Sequence, residues 1–342
     1  MSASRTWVSV CVVVGLLVGT AGAVVVATVQ VGDVGNAADT YAHSSNPAGQ
    51  GAVSYTYNIG TYEVTAGQYA EFLNKVGGVD TYGLYNTSMS RTDYGSGISQ
   101  SGGGTAGNPY TYTVAAAFVT RPVNCVSYWD CCRFANWMNN GQLSGAQGAG
   151  TTERGTYTLD GYDWNDGRTI QRNPGSKWAV TSEDEWYKAS YHKNDGVTGN
   201  YFDYPTSSNT VPGRDMADVS GNNANYWTGS GPYPIDSPYY TTVGGEFQDS
   251  ESPYGTFDQG GNVWEWNEAL VYQEPTYSSR GLRGGSFLYD GNLRAAYRHD
   301  YYPTSEFGYI GFRVSEVPEP SAMALLAFGG IGMLVRRREL GR

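Results

Sequence analysis

Two carboxylates, Asp258 and Glu265, stand seven residues apart around the turn Asp258-Gln259-Gly260-Gly261-Asn262-Val263-Trp264-Glu265. Gly260 and Gly261 let backbone carbonyls point inward, because glycine reaches conformations closed to other residues. Carboxylate and carbonyl oxygens gathered on one point suit a hard cation such as calcium. The same residues fit a second arrangement, with Asp258 capping a turn and Glu265 paired to an arginine. Softer chemistry has less to build on. The three histidines, His43, His192 and His299, are scattered, and no HExxH or CxxC pattern occurs. A zinc or iron centre built on histidine is therefore not expected. Cys11 lies near the start of the chain, which leaves Cys125, Cys131 and Cys132, an odd number. Neighbours in a helix do not face each other, so Cys125 could reach only one of Cys131 and Cys132. Buried free thiols are the expectation and one disulfide the alternative.

Three helices must position these groups, and each announces itself with a capping box. Thr65 with Gln68 opens the first, whose Tyr69, Phe72, Leu73 and Val76 form one buried stripe. Ser127 with Asp130 opens the second, with Cys131, Phe134, Ala135 and Met138 as its stripe. Ser182 with Glu185 opens the third, followed by Trp186 and Ala189. Short strands are predicted at 55–64, 110–119, 177–180 and 311–314, with surface loops at 95–108 and 141–152. The sum is a single α+β domain with little regular structure. Twenty-nine Tyr and nine Trp would fill much of its core, and such residues also suit surfaces that bind sugars or peptides.

The formal charge of −11 opposes binding to nucleic acid or to an anionic membrane surface. The ends carry Arg5, Arg336, Arg337, Arg338 and Arg342 against Glu319 and Glu339, so the body between them is more acidic still. Residues 1–23 read as a secretory signal: Arg5, an apolar run from Trp7 to Val18, and the small-residue site Ala21-Gly22-Ala23. An uncleaved N-terminal anchor is the alternative. At the other end Val317-Pro318-Glu319-Pro320 precedes an apolar run, Ser321 to Val335, and then three arginines that hold it on the cytoplasmic side. In that order, these parts resemble a PEP-CTERM sorting signal over residues 317–342. The resemblance implies an exosortase-type membrane protease as partner and an exported, cell-surface, outer-membrane or matrix location with transient membrane anchoring through the C-terminal segment.

The body, residues 24–316, resembles the formylglycine-generating enzyme, or sulfatase-modifying factor, family over roughly residues 53–315. Six segments carry the resemblance in order. They are Ile59 to Thr65 with Gln68-Tyr69, Arg121 to Asn124 with Phe134 to Trp137, Trp178 to Trp186, Gly261 to Trp266, Arg283 to Phe287, and Gly311 to Arg313. The implied fold is irregular α+β, related to C-type lectins. The family places calcium at the glycine-rich turn. Carried over by position, the ligands are the side chains of Asp258 and Glu265 and the carbonyls of Gly261 and Val263. A second family calcium begins at a pair matching Asn225-Tyr226, with Asp236 a candidate for its carboxylate. Trp264 and Trp266 are expected in the core, and Arg283, Arg294, Arg298 and Arg313 in ion pairs.

The family's oxidase needs two cysteines shortly after its Gly-Gly-Ser motif, to hold copper and relay oxidation. Thiolate is the soft ligand and the reactant. Here Gly284-Gly285-Ser286 is followed by no cysteine at all, so copper is not expected. The family's iron-dependent branch draws three histidines largely from a partner helical domain, and none is evident. The chain is therefore expected to be a non-catalytic, calcium-stabilised binding or structural module of the cell surface or extracellular matrix, with a protein or polysaccharide ligand. An enzyme of altered chemistry in the same cleft and a lectin-like sugar-binding module are the alternatives.

Overall fold

The first amides of a helix lack partners within it, and the three sequence-coded caps supply them. In the computed structural model, which describes residues 23–41, 47–288 and 293–317, α1 (Ala66–Val76), α2 (Tyr128–Asn139) and α3 (Glu183–Tyr191) each begin at the expected box. Nearly all of the expected export segment and sorting tail lies outside the described residues. The strands are β1 (Thr28–Val31), β2 (Tyr57–Gly60), β3 (Ile98–Ser101), β4 (Thr111–Val114), β5 (Trp178–Val180), β6 (Trp264–Gln273), β7 (Ser278–Arg283), β8 (His299–Tyr301), β9 (Ile310–Phe312) and β10 (Val314–Glu316).

These strands form one sheet in the order β1-β2-β10-β5, a second in the order β8-β7-β6-β9, and a separate β3-β4 hairpin. All described pairings are antiparallel except β6 with β9. The chain leaves the second sheet at Phe312 and enters the first at Val314, so Arg313 alone separates them. Gly311 lies so close to the neighbouring chain that an added Cβ would stand 2.4 Å from the Val123 carbonyl oxygen. The expected strand at 311–314 is thus two strands with a crossing residue between them.

Other expectations changed in extent. Predicted strands at 55–64 and 110–119 shrink to β2 and β4, and a 3-10 turn at Ala116–Phe118 follows β4. The expected loop at 95–108 contains β3. Helix α2 is not a one-sided stripe, since every residue from Tyr128 to Met138 is buried, Asp130, Arg133 and Asn136 included. Most of its polar groups find partners: Arg133 Nε meets Glu153 at 2.8 Å, and Asn136 Nδ2 donates to the Thr152 and Tyr157 carbonyls. The aromatic core forms around it, with Phe134 against Phe72, Trp137 and Phe312.

Glu185 shows how a local cap becomes a tertiary clamp. It closes its own capping box, then accepts from both Arg172 terminal nitrogens, at 2.9 and 3.0 Å, and from Ser315 of β10 at 2.6 Å. Burial alone would raise its pKa, but the Arg172 guanidinium outweighs burial and holds the carboxyl at about 2. A depressed carboxylate stabilises the fold above its unfolded pKa, and that stability is lost as pH falls through the folded value. Glu185→Gln should therefore destabilise by about 3 kcal/mol at pH 7. The gap to wild type should close as pH drops from about 5 toward 2. Urea unfolding of both proteins along that series checks this; a gap independent of pH would refute it.

Candidate functional site

Glu265 lies on β6 and Arg313 at the crossing residue, and both are fully buried. Arg313 Nε donates to Oε2 of Glu265 at 2.6 Å and a terminal nitrogen to Oε1 at 2.7 Å, a bidentate pair. The Trp186 indole N–H of α3 adds a third bond to Oε2 at 2.7 Å. The remaining guanidinium protons reach the Gly60 carbonyl of β2 and the Phe257 carbonyl. Of the two arrangements the sequence allowed for Glu265, the arginine pair is present. The other arginines are paired as well: Arg283 and Arg298 both bind Glu183, at 2.7 and 2.6 Å, and Arg294 meets Asp203 at 3.4 Å. Trp264 and Trp266 are buried.

Asp258 adopts φ +62° and accepts from the Gly245 amide at 2.6 Å, a turn cap. Gly261, at φ +86°, forms a bridge with Asn225, and a Cβ there would strike the Asn225 carbonyl oxygen at 2.2 Å. The two segments expected to start separate metal sites thus meet each other. The Asn262 amide donates to the Asn225 carbonyl at 2.8 Å, and the Asn225 side-chain amide donates to the Tyr240 carbonyl. Val263 and Tyr226 are buried, the Tyr226 hydroxyl donating to Pro212 at 2.5 Å. Asp236 does not join them; it pairs with Arg121 at 2.6 Å. Among the described residues no group of three or more His, Cys, Asp or Glu is arranged to hold a metal ion.

Glu63 is the residue that sequence reasoning missed. It sits 3% exposed with one carboxylate oxygen lacking any partner, while Asn262 Nδ2 approaches the other at 3.3 Å. Burial first, then the nearby Asp258, push its pKa well up; burial likewise lifts Asp258 to about 6. Three carboxylates, Glu63, Asp258 and Glu265, thus share one guanidinium. A void of about 10 Å³ lies against Asp258 and Gly260, near the smallest space that admits one water-sized guest. Of the three carboxylates only Asp258 lines that void, and the side chains do not form a cage. The available signal was a glutamate between Tyr62 and Val64 in an otherwise uncharged stretch.

Ser286 follows Gly284 and Gly285, both in the left-handed region, and is fully buried; its Oγ accepts from the Leu288 amide at 3.2 Å. Aromatic rings run outward from it: Phe287 meets Tyr240, Tyr240 meets Tyr233, and Tyr233 meets Trp227. Cys125, Cys131 and Cys132 are free and buried, none bridged to another. Burial raises the Cys125 thiol to about 12 and pushes the other two well up as well. Such thiols are poor nucleophiles and poor metal ligands near neutral pH.

The C-terminal stretch 316–338 matches the PEP-CTERM protein-sorting motif, which makes this an exported, envelope-associated protein and implies recognition by exosortase-type processing. One relative, the inactive C-alpha-formylglycine-generating enzyme 2 of Bos taurus, is 28% identical over 174 residues, covering 48% of this chain and 52% of the relative. The chain thus spans about half the length of that relative. Among solved structures, Treponema denticola variable protein 1 superposes with a TM-score of 0.51 at 18% identity, covering 85% of this chain and 95% of its own. CarF superposes with a TM-score of 0.51 at 18% identity, covering 86% and 99%. Residues 20–317 match the family described as the sulfatase-modifying factor enzyme 1-like domain, and with most of its length so matched the chain belongs to that family.

Proposed function

We propose that this chain works outside the cytoplasm as a non-catalytic module of its family, binding a ligand or building structure at the cell surface or in the surrounding matrix. The observation that carries the proposal is the missing thiol pair. No cysteine follows Cys132, and the three in the body are buried and free. Copper-dependent oxidation of a substrate cysteine needs soft ligands held together at the cleft. Ser286, buried beside an aromatic wall, offers a hydroxyl in their place. The inactive bovine relative supports the same direction.

Calcium remains part of the proposal on charge alone. The excess of buried carboxylate around Glu63, Asp258 and Glu265 would be neutralised by a divalent ion at the glycine-rich turn, with the Gly261 and Val263 carbonyls and the Asn225-Tyr226 segment nearby. Such an ion would act as a structural tie. If it binds, a hundredfold excess over Kd adds about 2.7 kcal/mol to the unfolding free energy, and Glu63→Gln abolishes the gain. Calorimetric melts with calcium and with chelator check this; identical melting temperatures would leave the turn cap and the Arg313 pair as the whole story.

Incubated with copper, oxygen, a reductant and a sulfatase-type peptide, the protein should leave the peptide cysteine unchanged. Peptide mass spectrometry reads the outcome. A loss of about 18 Da at enzyme-like turnover, on the order of one per second, would overturn the non-catalytic assignment. Copper binding without turnover would not, since exposed carboxylates bind that metal unaided.

A further inference from the structure

We propose that the tip of the β6-β7 hairpin, with the loop laid across it, binds a neutral polysaccharide. This rests on the surface-module reading above and names its ligand class and its site, at the opposite end of β7 from Ser286.

Exposed aromatic rings gather at that tip. Tyr272 and Tyr277 are stacked, with centroids 5.7 Å apart and planes 28° apart, and Tyr302 packs edge-on against Tyr277 at 5.7 Å. Tyr272 and Tyr302 are each 46% exposed. Trp129, Trp137, Trp186, Trp264 and Trp266 are buried to the last few per cent, but Trp164 is 71% exposed. It belongs to the same rim, because Asn165 accepts from the Ser278 amide at 2.7 Å and from the Thr304 hydroxyl. The loop behind it is pinned: Gly167 N–H donates to Ser278 Oγ at 3.0 Å, and Arg168 donates to the Pro275 carbonyl at 2.7 Å. The rings are therefore held in place before any ligand arrives, which lowers the entropy cost of binding.

A cavity of about 240 Å³ opens beside this rim, between the loop and β6. Two of its lining residues, Tyr128 and Arg280, are almost wholly buried yet have donors to spare. Arg280 donates to the carbonyls of Glu268, Gly167 and Ile170, while its Nε–H has no acceptor. The Tyr128 hydroxyl has no oxygen or nitrogen partner, only the soft Cys132 thiol beside it. Unmet buried donors mark where acceptor oxygens of a guest, or of water, belong. Ring faces for C–H surfaces beside donors for hydroxyl oxygens make the chemistry of a pyranose.

Charge decides which polysaccharide. The other cation of the cavity, Arg172, is matched by Glu185 and Glu268 at 2.9 Å each. On the rim, Arg168 is matched by Asp166, and Glu274 accepts the Tyr272 hydroxyl. With a chain charge of −11, a polyanion would be repelled.

Affinity electrophoresis of the purified full chain in gels containing a β-glucan, a mannan or a galactan tests the proposal, with alginate as the anionic probe. Retardation is expected in at least one neutral gel and not in alginate. Tyr272→Ala, and separately Trp164→Ala, should weaken it by at least about tenfold with unchanged melting temperature, since both side chains are exposed. No retardation in any neutral gel, equal retardation of the variants, or preference for alginate would each overturn the proposal. Sugar binding together with formylglycine production would sink the non-catalytic reading and spare this one; neither activity would do the reverse.

Discussion

The structure depends on one buried ion pair. Arg313 is the single residue between two sheets, and its side chain turns inward at the place where the chain changes sheet. From there it grips Glu265 of the second sheet, the Gly60 carbonyl of the first and the Phe257 carbonyl of the intervening loop. Trp186 brings α3 to the same carboxylate. A buried pair gains little over an apolar filling, but losing one partner strands a charge and costs roughly 3–5 kcal/mol. Its value here is therefore geometric: it fixes how two small sheets and a helix meet in a body with few long elements.

Such a frame frees the loops for function. Loops held by a rigid scaffold commonly carry binding residues, and in this chain they carry the glycine-rich turn, the buried Ser286 turn and the aromatic rim. The three differ in kind. At the turn, excess carboxylate awaits either protons or a cation. At Ser286 the Gly-Gly-Ser run is present and no cysteine follows it in the sequence. At the hairpin tip, rings face solvent although the interior already takes many aromatic side chains. A protein carrying a sorting motif for export has reason to present such a surface outward.

Local signals were legible in the sequence and long-range ones were not. Each capping box involves residues three apart, so Thr65, Ser127 and Ser182 marked their helices without any fold in view. Strands β5, β9 and β10 are three residues long; their partners decide them, and no alternating pattern has room to appear. Strand β6 was hidden for another reason, since its buried half reads Trp-Glu-Trp-Asn, and the partners of Glu265 (Trp186 and Arg313) lie far along the chain. The same blindness applied to Glu63, whose importance comes from Asp258 and Arg313 about two hundred and more residues away. Family resemblance supplied the order of the motifs and the Asp258–Glu265 ligand set. It did not reveal that Asn225 would pack on Gly261, or that Arg313 would occupy Glu265.

A double-mutant cycle of stability at Glu265 and Arg313 tests the role of that pair most directly. Urea unfolding is measured for wild type, Glu265→Met, Arg313→Met and the double variant. Each single change should cost about 3–5 kcal/mol, and the double should cost less than their sum by more than about 1 kcal/mol. Additive costs would show that the two side chains contribute independently, and that the crossing between the sheets is held by something other than their bond.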